Sequence, residues 1–541
     1  MPMPDVTAAA REIFGWPALR EGQTEAIEAL VEGRDAIVVL PTGAGKSAVY
    51  QLAGFLRGGL TVVVSPLIAL QNDQVAQLAA TPSAPRGAVL NSTLGERATE
   101  ELWEDLRAGA IQLLLLAPEQ LAKDEVVAGL AQTGVGLFAV DEAHCVASWG
   151  HDFRPDYLRL AGVRARLGSP PIVALTATGA EPVRAEIAER LQLREPAVVV
   201  RGVDRPNIDL TVRRASAAEE KRAEVLELVA GAAGCGLLYT ATRREAEEYA
   251  AELTGRGRRA RVYHAGLSKA DREETHRAFL EDGIDVVVAT NAFGMGIDKP
   301  DVRFVVHASV PDSLDSYYQE IGRAGRDGEA ASATLFYRPE DLGIRKYFVA
   351  RSVDEGRLAA AYRRISRSDG AVPTKALAAE LAVAPRTATH LVNLLAEGGV
   401  VRVGRRGAVV AASVSASEAA ARAAEASERR ERIEQSRLEV MRRYAETRDC
   451  RRRAVLRYFG EELREPCGNC DTCRAGTAAE AAPSEEGLPF PTGSAVVHVE
   501  WGPGAVSAVE GDRLTVFFEE QGYKTLALDT VIENGLLSRA G

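Results

Sequence analysis

The stretch DAIVVLPTGAGKSAVYQL, residues 35–52, decides how the N-terminal part of this chain folds. An apolar run typical of a buried strand passes through a glycine-containing loop into a segment typical of a helix. Backbone N–H groups of such a loop can hold the β- and γ-phosphates of a nucleotide. Lys46 would supply charge between the phosphates, and Ser47 a hydroxyl for Mg²⁺. The candidate nucleotide-binding loop comprises Thr42, Gly43, Ala44, Gly45, Lys46 and Ser47.

The acidic motif DEAH, residues 141–144, follows the strand-like run GLFAV. At the end of a parallel strand, the Asp141 carboxylate can reach Mg²⁺ directly or through water. Glu142 is suited to polarising the attacking water, and His144 to sensing the γ-phosphate. The motif is only moderately specific by itself, but behind a phosphate loop it indicates hydrolysis of a nucleoside triphosphate.

Short β-rich runs alternate with helical patterns over much of the chain. Parallel strands are predicted at DAIVVL, TVVVSPL, IQLLLLAPE, GLFAVDEAH and PIVALTATG, and then at GCGLLYTAT, RRARVYHAG, IDVVVATNA and VRFVVHASV. With 541 residues, the chain is too long for one hydrophobic core. We expect two consecutive α/β domains, 1–200 and 201–350, each a parallel sheet with helices on both faces.

Composition narrows the class of protein. A content of 46% hydrophobic and 26% charged residues is ordinary for a globular protein. We expect a cytoplasmic chain without a membrane partner, because no apolar run reaches about 20 residues and the N-terminus lacks a secretory profile. The net charge of −11 does not favour the binding of nucleic acid, so any such binding must come from local basic patches.

The second α/β domain has no phosphate loop, yet it ends in YYQEIGRAGRDG, residues 317–328. Arg323 and Arg326 are expected to lie on one helical face with Gln319. From there they could reach across a domain cleft to the transferred phosphate as arginine fingers, which raise the rate of phosphoryl transfer many-fold. The alternative is a solvated basic helix.

The C-terminal part has a different pattern. Two short helical segments, a strand, the turn GRRG and a second strand outline a winged helix at 351–413. A charged helical stretch with a cysteine cluster occupies 414–475, and a flexible linker rich in small and acidic residues is predicted at 476–489. Four short strand candidates separated by glycine-containing turns predict a small β-barrel at 490–541.

Four of the six cysteines, Cys450, Cys467, Cys470 and Cys473, crowd into this stretch. Two overlapping CxxC steps with one distant cysteine fit a tetrahedral Cys₄ zinc site of the closed, structural kind. A reduced, metal-free cluster is the alternative. Cys145 and Cys235 are expected to be buried, inert thiols.

At this point the sequence closely resembles the RecQ family of superfamily 2 DNA helicases, over residues 10–350 and again over 440–475. The motifs that carry the resemblance are FGWPALREGQTEAI, SPLIALQNDQV, ALTATG, VDRPNI, YHAGLSKADRE and ATNAFGMGIDKPDVRFVVH. In this family the first motif recognises adenine, which implies that Arg20 and Gln23 contact the base and that Trp16 can stack on it.

The tail WGHDFRPDY after DEAHC is the most diagnostic part of the resemblance. In the family it is an aromatic-rich loop that touches single-stranded DNA and reports to the ATPase site. The resemblance therefore implies DNA contacts by Trp149, His151, Phe153 and Arg154. Stacking on aromatic faces contributes about 1–3 kcal/mol per base without sequence preference. The alternative is that the aromatic residues here, Tyr157 included, pack a core.

The sequence also departs from the family. The winged-helix candidate precedes the zinc module, whereas it usually follows, so the family's strand-separating hairpin is not carried over. The last 50 residues or so are similar to the Tudor-like barrel that ends UvrD-type repair helicases. This similarity suggests a docking module for RNA polymerase or a repair protein, and a stabilising β-cap is the alternative.

The resemblance implies a multidomain α/β chain: two tandem RecA-like domains, a winged-helix-like domain, a helical Cys₄ zinc module and a β-barrel. It implies a DNA-stimulated ATPase with ATP, Mg²⁺ and Zn²⁺ as cofactors. We expect a 3′→5′ DNA helicase of repair and recombination, associated with the nucleoid, that acts on single-stranded and on tailed or forked duplex DNA. Two alternatives remain, an RNA helicase and a winged-helix regulator whose candidate recognition helix offers only Arg386 and His390 to bases.

Overall fold

The computed structural model describes residues 5–41, 43–66, 68–81, 83–91, 94–147, 155–293, 299–343, 354–404, 407–461, 463–480, 488–510, 512–518 and 520–539. In the described chain no helix combines the length and the apolar character needed to cross a membrane.

The first domain contains a parallel sheet with strand order β3-β4-β2-β5-β6-β1-β7. Its strands are β1 (Ala36–Val39), β2 (Leu60–Val64), β3 (Gly87–Leu90), β4 (Leu113–Leu116), β5 (Val135–Val140), β6 (Ile172–Thr176) and β7 (Ala197–Val200). Its helices are α1 (Val6–Phe14), α2 (Gln23–Val31), α3 (Lys46–Arg57), α4 (Ile68–Ala79), α5 (Glu96–Arg107), α6 (Asp124–Thr133), α7 (Leu160–Arg166) and α8 (Glu181–Arg190). Short 3₁₀ segments lie at Pro118–Ala122, Ala143–Val146 and Pro155–Arg159.

The alternation of side chains along β1 shows how helices cover both faces of this sheet. Ile37 and Val39 belong to a hydrophobic cluster that includes residues of α5, α6, α7 and α8. Ala36 and Val38 belong to a second cluster, which includes residues of α1, α2 and α3. Every residue of β1 is buried, as expected for a strand that is covered on both sides.

The second domain contains another parallel sheet, with strand order β10-β11-β9-β12-β13-β8. Its strands are β8 (Ile208–Arg214), β9 (Cys235–Tyr239), β10 (Ala260–Tyr263), β11 (Val286–Ala289), β12 (Val302–His307) and β13 (Ala331–Tyr337). Its helices are α9 (Ala218–Gly231), α10 (Arg243–Gly255), α11 (Lys269–Leu280) and α12 (Leu314–Ile321). The prediction of two tandem parallel-sheet domains is confirmed.

A small helical unit with a β-hairpin follows. It comprises α13 (Glu355–Ser366), α14 (Thr374–Glu380), α15 (Pro385–Glu397), β14 (Val401–Gly404) and β15 (Gly407–Val410). The two strands pair antiparallel, and Val372 adds a bridge to Ala408. Two helices and a hairpin follow one another in the order predicted for this segment, and α13 is an additional helix before them.

The zinc-module segment begins with one long helix, α16 (Ala416–Glu446), followed by α17 (Arg451–Phe459) and α18 (Asp471–Arg474). The segment 476–489, predicted to be a flexible linker, begins with a helix, α19 (Thr477–Glu480). The prediction is wrong for these residues, because Ala478 is buried in a hydrophobic cluster that the second domain and the zinc module share.

The C-terminal strands β16 (Ala495–His498), β17 (Gly502–Glu510), β18 (Arg513–Phe518), β19 (Gly522–Ala527) and β20 (Leu537–Arg539) form an antiparallel sheet in the order β19-β18-β17-β16-β20. Helix α20 (Leu528–Glu533) connects β19 to β20. We call this unit the C-terminal sheet.

Buried arginines attach the zinc module to the second domain. Arg452 forms an ion pair with Asp204 at 3.2 Å and donates to the carbonyl oxygens of Arg205, Pro206 and Ile208. Each of these carbonyls belongs to the segment that leads into β8. The zinc module is therefore anchored at the edge of the second sheet by charge and hydrogen bonds.

Asp35, directly before β1, connects three segments of the first domain. Its side chain is 1% exposed and accepts from Arg164 Nη2 at 2.6 Å. It also accepts from the backbone N–H groups of Ile172 at 3.2 Å and Arg194 at 2.7 Å. This carboxylate thus fixes the starting point of the strand that carries the candidate nucleotide loop.

We expect Asp35→Ala to lower the free energy of unfolding of the first domain by about 3–5 kcal/mol, because the substitution leaves the Arg164 charge buried without its partner. Urea denaturation followed by circular dichroism measures this change. Asp105→Ala is the matched control, since it breaks an exposed ion pair with Arg86 and should leave the transition almost in place. Equal effects of both substitutions would contradict the assignment.

Candidate active site and metal centre

The candidate nucleotide loop turns between β1 and α3. Gly43 and Gly45 have positive φ angles of 82° and 77°, a conformation that favours glycine. Lys46 is the first residue of α3, and its ammonium group donates to the carbonyl oxygens of Leu40 at 3.2 Å and Pro41 at 3.5 Å. The loop therefore directs its lysine and the helix N-terminus to one place. Thr42 lies outside the described residues.

Residues of the predicted adenine motif also lie at this loop. Gln23 donates from Nε2 to the carbonyl oxygens of Ala44 at 3.1 Å and Gly45 at 2.9 Å. Arg20 donates to the carbonyl oxygen of Gly43. Trp16 stacks on Phe14, with ring centroids 4.3 Å apart. The structure thus brings Arg20 and Gln23 to the backbone of the nucleotide loop.

Asp141 and Glu142 follow the carboxyl end of β5. The backbone N–H of Asp141 donates to Val64 at 2.8 Å, and Ser65 Oγ donates to its carboxylate at 3.4 Å. Glu142 adopts a left-handed backbone conformation with φ 49°, which is uncommon for a residue with a side chain and often marks a functional position. Ser65 was missed as a site residue, although it begins the motif SPLIALQNDQV.

His144 connects the acidic motif to the end of β6. Its imidazole is 1% exposed, and Nδ1 lies 3.0 Å from Thr176 Oγ1 and 3.3 Å from Glu142 Oε2. Thr176 in turn donates to the carbonyl oxygen of Thr178 at 2.7 Å. The His144 ring therefore links the position of the Glu142 carboxylate to the segment that follows β6.

The acids and the lysine share one electrostatic environment. Burial, followed by the charge of Glu142, raises the pKa of Asp141 to about 7. Burial lowers the pKa of Lys46, and the negative charges of Glu142 and Asp141 oppose that shift. Two adjacent carboxylates in a poorly solvated site form a donor set suited to Mg²⁺, since a hard cation would relieve their repulsion.

The second domain contributes Arg326 to the same cleft. A Cβ atom added at Gly43 would lie 3.6 Å from Arg326 Cδ, so this arginine packs against the nucleotide loop. Its charge also contributes to the lowered pKa of Lys46. Side chains of the two domains therefore meet around Lys46.

One prediction about this segment is wrong. Arg323 and Arg326 do not share a helical face with Gln319, because α12 ends at Ile321 and Gly325 has φ 56°. The two arginines lie instead in the turn that follows, which we call the arginine turn, residues 322–326. Arg323 is buried there and interacts with the Tyr239 hydroxyl, whereas Gln319 is half-buried on α12.

Arg205, which the sequence analysis did not single out, holds the arginine turn. Its guanidinium donates to the carbonyl oxygens of Gly322 at 3.0 Å, Ala324 at 2.8 Å and Gly325 at 3.0 Å. Burial lowers the pKa of Arg205. The signal was present in the motif VDRPNI, but the function of its arginine depends on a contact over more than 100 residues of sequence.

For one of the aromatic residues behind the acidic motif, Tyr157, the structure distinguishes core packing from DNA contact. Tyr157 is completely buried and donates to the carbonyl oxygen of Asp141 at 3.3 Å. Tyr157 is therefore a core residue in contact with the backbone of Asp141. The predicted DNA contacts, Trp149, His151, Phe153 and Arg154, lie outside the described residues.

The four clustered cysteines come together as predicted. Their sulfur atoms all lie within 4.8 Å of one another, and Cys450 and Cys470 are buried. Hydrogen bonds from Cys450 and Cys467 lower the pKa of Cys470, whereas the pKa values of Cys450, Cys467 and Cys473 are raised. Four sulfur ligands in a closed cluster fit Zn²⁺.

Comparison with known proteins agrees with this geometry. The model for DEAD/DEAH box helicases matches residues 20–185, and that for the helicase conserved C-terminal domain matches 220–328. The RecQ zinc-binding model matches 412–474. The fold and the cleft define a two-domain nucleoside triphosphatase of the helicase class.

Curated relatives give the family. The chain is 40% identical over 339 residues to a probable ATP-dependent DNA helicase, RecS of Bacillus subtilis, covering 62% of this chain and 68% of the relative. It is 35% identical to RecQ of Pasteurella multocida, covering 85% of this chain and 61% of the relative. The chain belongs to the RecQ family of ATP-dependent DNA helicases. It spans 61% to 68% of the length of these relatives.

Solved structures share the fold at low identity. Helicase Lhr of Mycobacterium smegmatis, bound to ssDNA and AMP-PNP, is 21% identical with a TM-score of 0.51, over 91% of this chain and 68% of that one. Dbp5 of S. cerevisiae, bound to RNA and ADP BeF3, is 18% identical with a TM-score of 0.51, over 64% of this chain and 92% of that one. One neighbour binds DNA and the other RNA, so the fold alone does not select the nucleic acid.

Family membership implies ATP and Mg²⁺ as cofactors, and the four-cysteine cluster within the zinc-binding match adds Zn²⁺. We expect the purified protein to contain one zinc ion per chain and Cys470→Ser to lose it together with soluble yield, because a closed zinc site contributes to folding. Atomic absorption measures zinc, with Cys145→Ser as the control. Full zinc content in Cys470→Ser would exclude this cysteine as a ligand.

Proposed function

We propose that this protein is a DNA-stimulated ATPase that moves 3′→5′ along single-stranded DNA and unwinds tailed or forked duplexes in repair and recombination. The observation that carries the proposal is the position of Arg326, a residue of the second domain, against Gly43 in the nucleotide loop of the first. A nucleotide bound between the domains would therefore contact both, and its hydrolysis would change how they fit together. The polarity and the pathway follow the family.

In this mechanism Lys46 and the loop N–H groups bind the phosphates of ATP, and Trp16, Arg20 and Gln23 serve its base. Ser47 and Asp141 would hold Mg²⁺, which would supply neutralising charge to the phosphates. Glu142 orients and polarises the attacking water. His144, between Glu142 and Thr176, ties the position of this carboxylate to the segment after β6.

Arg323 and Arg326 stabilise the charge that develops on the transferred phosphoryl group. Arg326 lies against the nucleotide loop, and Arg323 is buried beside Tyr239; electrostatic stabilisation at such poorly solvated places is stronger than in water. Arg205 contributes by fixing the backbone of the arginine turn, so the arginines need not be ordered at each cycle. Gln319, at the end of α12, completes the set on the second domain.

DNA stimulation would pass through the loop 148–154, since the Tyr157 hydroxyl just beyond it contacts the backbone of Asp141. Bases would stack on Trp149 and Phe153, and Arg154 and His151 would hold phosphates. The catalytic acid and the DNA surface then share one short segment of chain. The C-terminal sheet would be the docking site for a repair protein or RNA polymerase.

We expect Arg326→Ala to leave the affinity for ATP nearly unchanged and to lower kcat by about 10²–10³-fold, the cost of removing one transition-state donor. DNA-stimulated phosphate release gives kcat, and fluorescence titration with a labelled nucleotide gives affinity. Arg244→Ala is the control, because Arg244 is an exposed arginine of the same domain, paired with Glu248. A collapse of ATP affinity in Arg326→Ala would make this arginine a ground-state ligand.

Unwinding of a duplex with a single 3′ or 5′ tail tests the function as a whole. We expect ATP-driven strand separation only from the 3′ tail, and none by Lys46→Ala, which should still bind the DNA. Parallel assays with single-stranded DNA and RNA measure which nucleic acid stimulates ATP hydrolysis. Stronger stimulation by RNA, or unwinding from the 5′ tail alone, would overturn the proposal.

A further inference from the structure

Helix α12, which ends directly before the arginine turn, is held at its first turn by the zinc module. Tyr458 of α17 donates its hydroxyl to Asp315 of α12. Asp315 is 3% exposed, so its carboxylate depends on protein partners, because a buried charge without a hydrogen bond is costly. The position of the first turn of α12 therefore depends on Tyr458, a residue of the zinc module that lies 143 positions away in the sequence.

The C-terminal sheet contacts the same tyrosine. Tyr523 of β19 is buried and lies against Tyr458, with ring centroids 5.9 Å apart. Burial, followed by the charge of Asp315, raises the pKa of Tyr523. Arg437 of the long helix α16 adds its positive charge beside both rings. A ring contact from Tyr523 to Tyr458 and a hydrogen bond from Tyr458 to Asp315 thus connect the C-terminal sheet to α12.

The other end of the segment is held by the zinc module as well. Arg205 binds the carbonyl oxygens of the arginine turn, and Arg452 of α17 binds the carbonyl oxygen of Arg205 at 3.2 Å. Helix α17 therefore holds the segment 314–326 at both ends, through Tyr458 at the start and through Arg452 at the turn. Tyr458 is the residue of α17 that contacts both this segment and the C-terminal sheet.

We propose that the C-terminal sheet controls ATP turnover within its own chain, through the path Tyr523–Tyr458–Asp315, by positioning the arginine turn against the nucleotide loop. Tyr458 and Tyr523 act as positioning residues, since neither touches the nucleotide loop. The inference rests on the proposed function of Arg326. It also gives the C-terminal sheet a function that needs no partner protein, although a partner that displaced Tyr523 would change the rate of hydrolysis.

The physical reason is the precision that arginine fingers require. A misplacement of about 1 Å in a catalytic constellation can cost about 10²-fold in rate. Loss of the Tyr458 hydroxyl leaves the Asp315 carboxylate without its donor in a buried place, and α12 must then shift to give it water. Because α12 leads into the arginine turn without an intervening loop, the shift reaches Arg323 and Arg326.

The test compares Tyr458→Phe with Tyr362→Phe in the full-length protein. Tyr362 is the matched control. It is a buried tyrosine of α13 whose hydroxyl donates to the Ala412 carbonyl oxygen at 2.7 Å. We expect Tyr458→Phe to lower kcat by about tenfold, the effect of losing about one hydrogen bond to a charged group. KM for ATP, zinc content and single-strand affinity should stay within twofold, and Tyr362→Phe should keep full kcat.

Coupling to Arg326 separates positioning from general destabilisation. If Tyr458 acts through the arginine turn, adding Tyr458→Phe to Arg326→Ala should lower kcat by clearly less than about tenfold, with the remaining loss arising at Arg323, whereas independent effects would multiply. Tyr523→Phe should show the same pattern with a smaller loss. Multiplicative effects, or full kcat in both tyrosine variants, would overturn the inference.

The experiment also distinguishes the inference from the proposed function. If Arg326→Ala slows turnover while Tyr458→Phe does not, only the path from the C-terminal sheet falls. If Arg326→Ala leaves turnover unchanged, the assignment of the arginine falls, and the positioning inference falls with it.

Discussion

The organisation of this protein depends on an arrangement that brings charged side chains of both signs from two separate domains into one poorly solvated cleft. Lys46, Asp141 and Glu142 come from the first domain, and Arg326 comes from the second. Burial weakens the charged form of Lys46 and of Asp141, as the directions of their pKa shifts show. Such an arrangement is costly by itself and is relieved by ligands that carry both signs of charge, which a nucleotide with its Mg²⁺ does.

Holding an arginine in that cleft requires a firm backbone, and the chain supplies it with further arginines. Arg205 binds three carbonyl oxygens of the arginine turn, and Arg452 binds the segment that carries Arg205. A planar guanidinium with several donors suits this use better than an ammonium group. The zinc module is thus part of the support of the ATP site, and the loss of its fold should be felt in the cleft.

The parts of the fold that the sequence predicted are those with local signals. Central strands such as β2 and β4 are continuous apolar runs, and the nucleotide loop and the CxxC steps are defined by spacing. The strands that were missed are β3, β7, β8 and β20, which lie at sheet edges, and β13, which lies inside the second sheet between β12 and β8. An edge strand is half-exposed, as the burial of β8 shows, so its sequence lacks the apolar run that marks a central strand.

The candidate site divides in the same way. Lys46 and the cysteines could be placed from the sequence because their neighbours in the chain define their chemistry. The helical face proposed for Arg323 and Arg326 was wrong, because a spacing of three residues predicts a shared face only where a helix continues, and Gly322 and Gly325 interrupt this one. The contacts of Arg205 and Tyr458 join distant segments, and no local pattern announces them.

The long helix α16 shows why these modules cannot be treated as independent units. Near its N-terminus Ala419, Ala420 and Ala423 lie in the core of the winged-helix unit. Ile433 belongs to a core cluster of the first domain, and Leu438, Met441 and Tyr444 belong to that of the second. A helix of 31 residues resists bending, because a sharp kink would break backbone hydrogen bonds. When the cleft closes, the two parallel-sheet domains must therefore either slide along this helix or move together with it. In the second case the winged-helix unit moves with them.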